Sequence, residues 1–70
     1  MELIHKVINR IHTFEIEVED VVYYVTINDE YDSLFVKEIE IRDEDNEDVT
    51  DELDEELATK LIEFAKQNMD

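Results

Sequence analysis

Phe14-Glu15-Ile16-Glu17-Val18-Glu19-Asp20-Val21-Val22-Tyr23-Tyr24-Val25-Thr26-Ile27 decides the fold of this chain. Phe14, Ile16 and Val18 alternate with Glu15, Glu17 and Glu19. That period of two marks a strand with one buried and one acidic face. Glu19-Asp20 then reads as a tight turn, because Asp tolerates the left-handed backbone that some hairpin turns need. The run from Val21 to Ile27 is apolar at both parities, so it predicts a central strand with both faces covered.

Working outward toward higher numbers, Asn28 to Ser33 is polar and rich in turn formers. Leu34 to Arg42 predicts a third strand. Phe35, Ile39 and Ile41 share one parity, and Leu34, Val36, Glu38 and Glu40 share the other. In the other direction, Leu3, Ile4, Val7, Ile8 and Ile11 fall at helical spacing, which predicts a short amphipathic helix over about 2–10. The β-branched side chains there favour a competing strand beginning near Val7.

Asp43 to Glu56 holds ten acidic residues in fourteen and no basic one. Asp43 to Asp48 reads as a loop. Thr50, Asp51 and Asp54 each suit a helix N-cap. Leu53, Leu57, Leu61, Phe64 and Ala65 then form an apolar stripe, joined by Ile62 and Met69. The stripe predicts a helix from about 51 or 54 to about 68. Its acids lie early and Lys60 and Lys66 late, which suits the helix dipole. The sum is a single α+β domain over residues 1–70. It is read as a three-stranded antiparallel meander with a C-terminal helix packed on it and a short N-terminal helix.

Seventy residues bury only ~60% of the surface of the unfolded chain, so stability is expected to be modest. With no cysteine, neither a disulfide nor a thiolate metal site reinforces it. The 43% of hydrophobic residues is enough for a core. There is no Gly or Pro, hence no flexible linker and no glycine-rich phosphate cradle. No apolar run reaches the ~18 residues of a membrane span, and no signal peptide is visible. The cytoplasm is the expected location.

Charge is the outlying property. Twenty-two acids face six bases, for a net −16. The excess is uneven: residues 1–12 carry Glu2 against Lys6 and Arg10, net +1, which leaves −17 on the remainder. Such a chain repels nucleic acid and anionic membranes and favours basic protein surfaces. Halophilic adaptation fits poorly with eight Ile and with four Lys among six basic residues.

The run from Phe14 to Val25, followed by Glu40-Ile41-Arg42-Asp43-Glu44-Asp45-Asn46-Glu47-Asp48-Val49-Thr50-Asp51-Glu52-Leu53, resembles small acidic proteins of bacteriophages. The resemblance covers about residues 13–66. It implies a β-hairpin, a further strand and a helix opened by a Val-Thr-Asp-like turn. Asp20-Val21 and Asn46-Glu47 depart from the pattern, where glycine is usual after Asp or Asn. Some proteins of that kind mimic DNA and block DNA-binding or DNA-processing proteins. The resemblance therefore implies a non-enzymatic inhibitor in the host cytoplasm, and it carries over no functional residue.

Mimicry also has a physical basis in the residues. Duplex DNA carries one negative charge per ~1.7 Å of axis, and its partners meet it with Lys and Arg. The candidate partner-binding carboxylates are Asp43, Glu44, Asp45, Glu47, Asp48, Asp51, Glu52, Asp54, Glu55 and Glu56. Glu15, Glu17 and Glu19 extend them on the strand face. The competing reading is a merely solubilising acidic surface on a small interaction module. That module could be a homodimer burying the N-terminal helix or the open sheet face.

A third reading is a calcium loop. From Asp43, residues Asp45, Glu47, Asp51 and Asp54 fall at positions three, five, nine and twelve of an EF-hand pattern. Asp48 stands where that pattern needs Gly, Asp54 is shorter than the usual Glu, and a strand precedes the loop. No cofactor and no specific metal site are expected. His5 and His12 are seven apart and would share a face on a continuous helix; outside any metal-ligand motif, they read as polar-face histidines. Ser33 is the only serine, no cysteine exists, and no acidic pair stands out, so catalysis is not expected. Tyr23, Tyr24 and Tyr31 read as core or interface residues rather than base-stacking platforms.

Overall fold

A computed structural model describes residues 1–8, 11–28 and 38–69. Strands β1 (Glu2–Val7), β2 (Ile11–Val18), β3 (Val21–Asn28) and β4 (Ile39–Arg42) precede one helix, α1 (Glu55–Gln67). The strands form a single antiparallel sheet in the order β1-β2-β3-β4. The α+β class holds, and the β2–β3 hairpin lies where the alternation puts it. The part of the predicted third strand at 34–37 and the loop at 29–33 lie outside the described residues.

The register separates the two sheet faces. Phe14 sits opposite Val25, Ile16 opposite Tyr23 and His12 opposite Ile27; Ile41 and Ile39 of β4 continue those rows. This inner face receives α1. Phe14, Ile16, Val25, Ile27, Ile41, Val49, Leu61 and Ala65 form the buried core, with Leu3, Tyr23, Leu57 and Phe64 packed around it. Each fully buried large side chain stabilises by roughly 1.5–3 kcal/mol, the main term against the entropy of ordering the chain. Glu15, Glu17, Val22, Tyr24, Thr26, Glu40 and Arg42 point to the opposite, outer face, as their pairings require.

Two expectations are corrected. There is no N-terminal helix: residues 2–7 form β1, so the meander has four strands rather than three. A helix would have buried Ile4, Val7, Ile8 and Ile11 as a stripe, yet all four are exposed. The helical spacing is a by-product of a β-bulge between Leu3 and His5, which inserts Ile4 and breaks strand alternation. The bulge also turns Lys6 to the inner face beside Phe14, where its ammonium donates to Asn68 O at the end of α1 at 2.9 Å. A cation on the last carbonyls of a helix satisfies an acceptor and complements the dipole. The histidines are also not polar-face neighbours. His5 is exposed on the outer face, whereas His12 is buried on the inner one, 7% accessible.

Helix α1 matches its sequence pattern closely. Asp54 is the N-cap and its carboxylate accepts from Glu56 N at 3.3 Å. Leu61 and Ala65 are buried. At the far end Asn68 closes the last turn, its amide Nδ2 donating to Phe64 O at 2.8 Å.

Candidate acidic interaction surface

The acidic stretch folds by satisfying its own backbone. Asn46 N donates to Asp43 O at 3.0 Å, and Asp43 N donates to Glu47 O at 3.0 Å. Asn46 has φ 64°. Three residues, Glu44 to Asn46, thus make the tip of a hairpin with a left-handed residue in its third position. Asn accepts that conformation better than any residue but Gly. The ladder resumes for one residue, Arg42 opposite Asp48. Arg42 Nη1 holds the tip through Asn46 O and Oδ1, at 3.3 and 3.2 Å, and its Nε donates to Glu40.

Several carboxylates have structural work inside this segment. Asp43 Oδ1 accepts from Asp45 N at 2.9 Å and Glu47 N at 3.0 Å. Asp48 Oδ1 accepts from Thr50 N at 3.0 Å and from the Thr50 hydroxyl at 2.6 Å. That hydroxyl oxygen accepts in turn from Ile41 N at 2.9 Å. Glu44 Oε1 accepts from Val22 N at 3.2 Å, taking the place of a strand just where β4 has ended. Val49, 7% accessible, enters the core between these turns and anchors the segment, while Glu52 N and Leu53 N both donate to its carbonyl.

What remains is an ordered exposed rim. Asp45, Glu47, Asp48, Asp51, Glu52, Asp54, Glu55 and Glu56 are exposed. Asp54, the N-cap, and Glu55 and Glu56 of the first turn spread their carboxylates around the start of α1, about 100° apart along the helix. Among the described residues one cation, Lys60, forms a salt bridge with this rim, to Glu56 at 3.2 Å. Both partners are exposed, so the pair contributes little. Glu63 joins the rim and lines a shallow open depression with Asp54, Glu55, Glu56, Thr59 and Lys60. The sequence reading missed it, although Glu56 and Glu63 are seven apart and share a helix face.

The thirteen candidate carboxylates do not form one array. Glu15 and Glu17 face away from α1, so the sheet separates them from the helix start. On that outer face Glu2 lies opposite Glu17 and His5 opposite Glu15, with Glu40 and Arg42 two strands away. Glu19 belongs to neither set: with φ 50° it occupies the β2–β3 turn, beside Asp20 at φ 67°. There it borders a groove of about 570 Å³ whose walls include Val18, Val21 and Tyr23 of the sheet and Leu57, Lys60 and Phe64 of the helix.

Among the described residues no three acidic or histidine side chains converge on a point that could hold a metal ion. Asp43, first in the calcium pattern, instead has its Oδ1 turned onto two backbone amides. Among the same residues no helix is long and apolar enough to cross a membrane. Comparison with protein-family models, with curated proteins and with solved structures finds no match to this chain.

Proposed function

We propose that this is a non-enzymatic acidic binding protein that occupies a basic, nucleic-acid-binding surface of a partner protein. The observation that carries the reading is the rim from Asp45 to Glu56, continued by Glu63. Its carboxylates are exposed, and they stand on a backbone held by short turns and a helix cap. Order matters because a disordered acidic tract must lose conformational entropy on binding, whereas a fixed one does not. The partner's Lys and Arg side chains would exchange a phosphate row for this carboxylate row, without direct contact between this protein and nucleic acid. The outer-face acids Glu15 and Glu17 are a separate patch of mixed sign and are left out of the proposed surface.

The test uses tagged protein as bait for bacterial DNA-binding and DNA-processing proteins at low salt. Bound partners should elute with duplex DNA, and their affinity should fall steeply with added salt. D51N/E52Q/E55Q, which removes three rim charges and none of the turn acceptors, should weaken capture. E15Q/E17Q, with its changes on the other side of the sheet, should leave it nearly intact. Capture that ignores salt and duplex DNA, or that depends on Glu15 and Glu17 instead, refutes the assignment.

A further inference from the structure

We infer that the groove between the β2–β3 turn and α1 receives a large apolar side chain of the basic partner, carried on a segment whose flanking residues are Lys or Arg. This rests on the basic-partner reading of the acidic rim and adds to it the contact that fixes the partner's position. The groove encloses about 570 Å³. Sites that accept compact ligands span ~300–1,000 Å³. Val18, Val21 and Tyr23 wall it on the sheet side, and Leu57 and Phe64 on the helix side. Val21 is 42% accessible, and Met1, which also lines the groove, is 47% accessible. Covering such surface is favourable in proportion to its apolar area. Two of the wall side chains are aromatic, which suits an aromatic anchor.

Charge decides what kind of segment carries that anchor. Glu19 lines the groove from the turn it shares with Asp20, and Glu63 lines it from the helix. Lys60 and Glu63 belong both to the groove and to the shallow depression formed with Asp54, Glu55 and Glu56. The apolar floor therefore runs directly into the acidic rim. Against these carboxylates stand the amine of Met1 and Lys60, and Lys60 is already bound to Glu56 at 3.2 Å. An anionic segment is repelled here, and so is a second copy of a chain of net −16. A cationic segment is attracted on both sides of its anchor.

The two contributions differ in kind. Carboxylates on the rim speed the encounter and weaken with salt, whereas an apolar contact at the centre does not depend on screening. A buried anchor ringed by polar contacts is the usual anatomy of a specific interface. It also discriminates, since a partner with the right charge but no anchor leaves the groove unfilled.

Three short synthetic peptides test the inference on the full chain. One carries a Trp flanked by Lys, the second replaces the Trp by Ser, and the third keeps the Trp and replaces each Lys by Gln. Calorimetry at ~0.05 M salt should show the Lys–Trp peptide binding about tenfold more tightly than either of the others. At ~0.5 M salt it should retain measurable affinity while the Lys–Ser peptide loses it. V21S should weaken the Lys–Trp peptide about fivefold and leave the Lys–Ser peptide unchanged. In the unmutated chain, the Lys–Trp peptide should shift the methyl resonances of Val18, Val21 and Leu57 and leave those of Val7 and Ile11 unmoved, which keeps the test decisive if V21S fails to fold. Equal binding of the two Lys peptides overturns the inference and leaves the basic-partner reading standing. Failure of both Lys peptides to bind at low salt overturns both. A Gln–Trp peptide that binds as tightly as the Lys–Trp one overturns the choice of a cationic occupant. The same methyl shifts arising without peptide as protein concentration rises point to a second copy and overturn it as well.

Discussion

Replacing Glu19-Asp20 by Asn-Gly should stabilise the protein. The two residues form the whole connection between β2 and β3, and both have positive φ, 50° and 67°. This is the backbone of a type I′ turn, which matches the twist of the paired strands and strongly favours Asn-Gly. An L-residue in that region costs roughly 1–2 kcal/mol, and Glu lacks the short polar side chain that eases the cost for Asn and Asp. Gly removes the steric cost at position 20 but makes the unfolded chain more flexible, which returns roughly 0.5–1 kcal/mol. The net expected gain is about 1 kcal/mol, or ~4–8 °C in Tm for a domain of this size.

The substitution also removes two negative charges, so a charge control is needed. E15Q/E17Q removes two from the adjoining strand β2 without touching the turn. Thermal and urea unfolding should be followed by circular dichroism at low salt and near 1 M salt. The turn variant should keep its advantage at high salt, where screening is nearly complete, and the control should lose whatever it gained. If both variants gain equally at low salt and neither does at high salt, the benefit was charge relief and the backbone argument is wrong. A turn variant no more stable than the parent would refute it outright.

Lys6→Met keeps the aliphatic stem but loses the donor to Asn68 O, and should cost about 1 kcal/mol in urea unfolding, with Lys6→Arg retaining part of it. Thr50→Val leaves Ile41 N without its hydroxyl acceptor beside the core, and should cost roughly 1–3 kcal/mol; Thr50→Ser, which keeps the hydroxyl, should cost far less. Asp54→Ala should cost about 0.5–1 kcal/mol, the low end for a cap because the bond to Glu56 N is long, and the loss should appear as reduced helicity before global unfolding. Tm should rise as NaCl is added from low to physiological concentration, since a body of net −16 repels itself; a flat response would mean that the charges are already compensated.

The β2–β3 hairpin and α1 were legible because one periodicity governs each of them. Alternation fixes the inner row Phe14, Ile16 and Val18, and the 3.6-residue stripe fixes Leu57, Leu61 and Ala65. β1 was not legible because its bulge breaks the alternation, and because its Val and Ile side chains are exposed rather than buried as periodicity assumes. The separation of Glu15 and Glu17 from the helical acids was implicit in the pattern. The row that packs on α1 contains Phe14 and Ile16, so the alternate residues must face away. Composition could not reveal which acids serve as backbone acceptors. Asp43, Asp48 and Asp54 are identical in kind to Asp45 and Asp51, and only the turns of the folded chain tell them apart.

The bond from Lys6 to Asn68 joins residues 62 apart in the chain. The segment supplying Leu61, Ala65 and that terminal carbonyl emerges from the ribosome after every strand. A sheet formed before α1 is in place would leave Phe14, Ile16 and Val25 uncovered, the kind of exposed strand surface that invites association between nascent chains. Carboxylates on Glu15, Glu17, Glu19 and Asp20 are already present at that stage and repel neighbouring copies. Like charge at these positions opposes association of chains whose inner face is still uncovered.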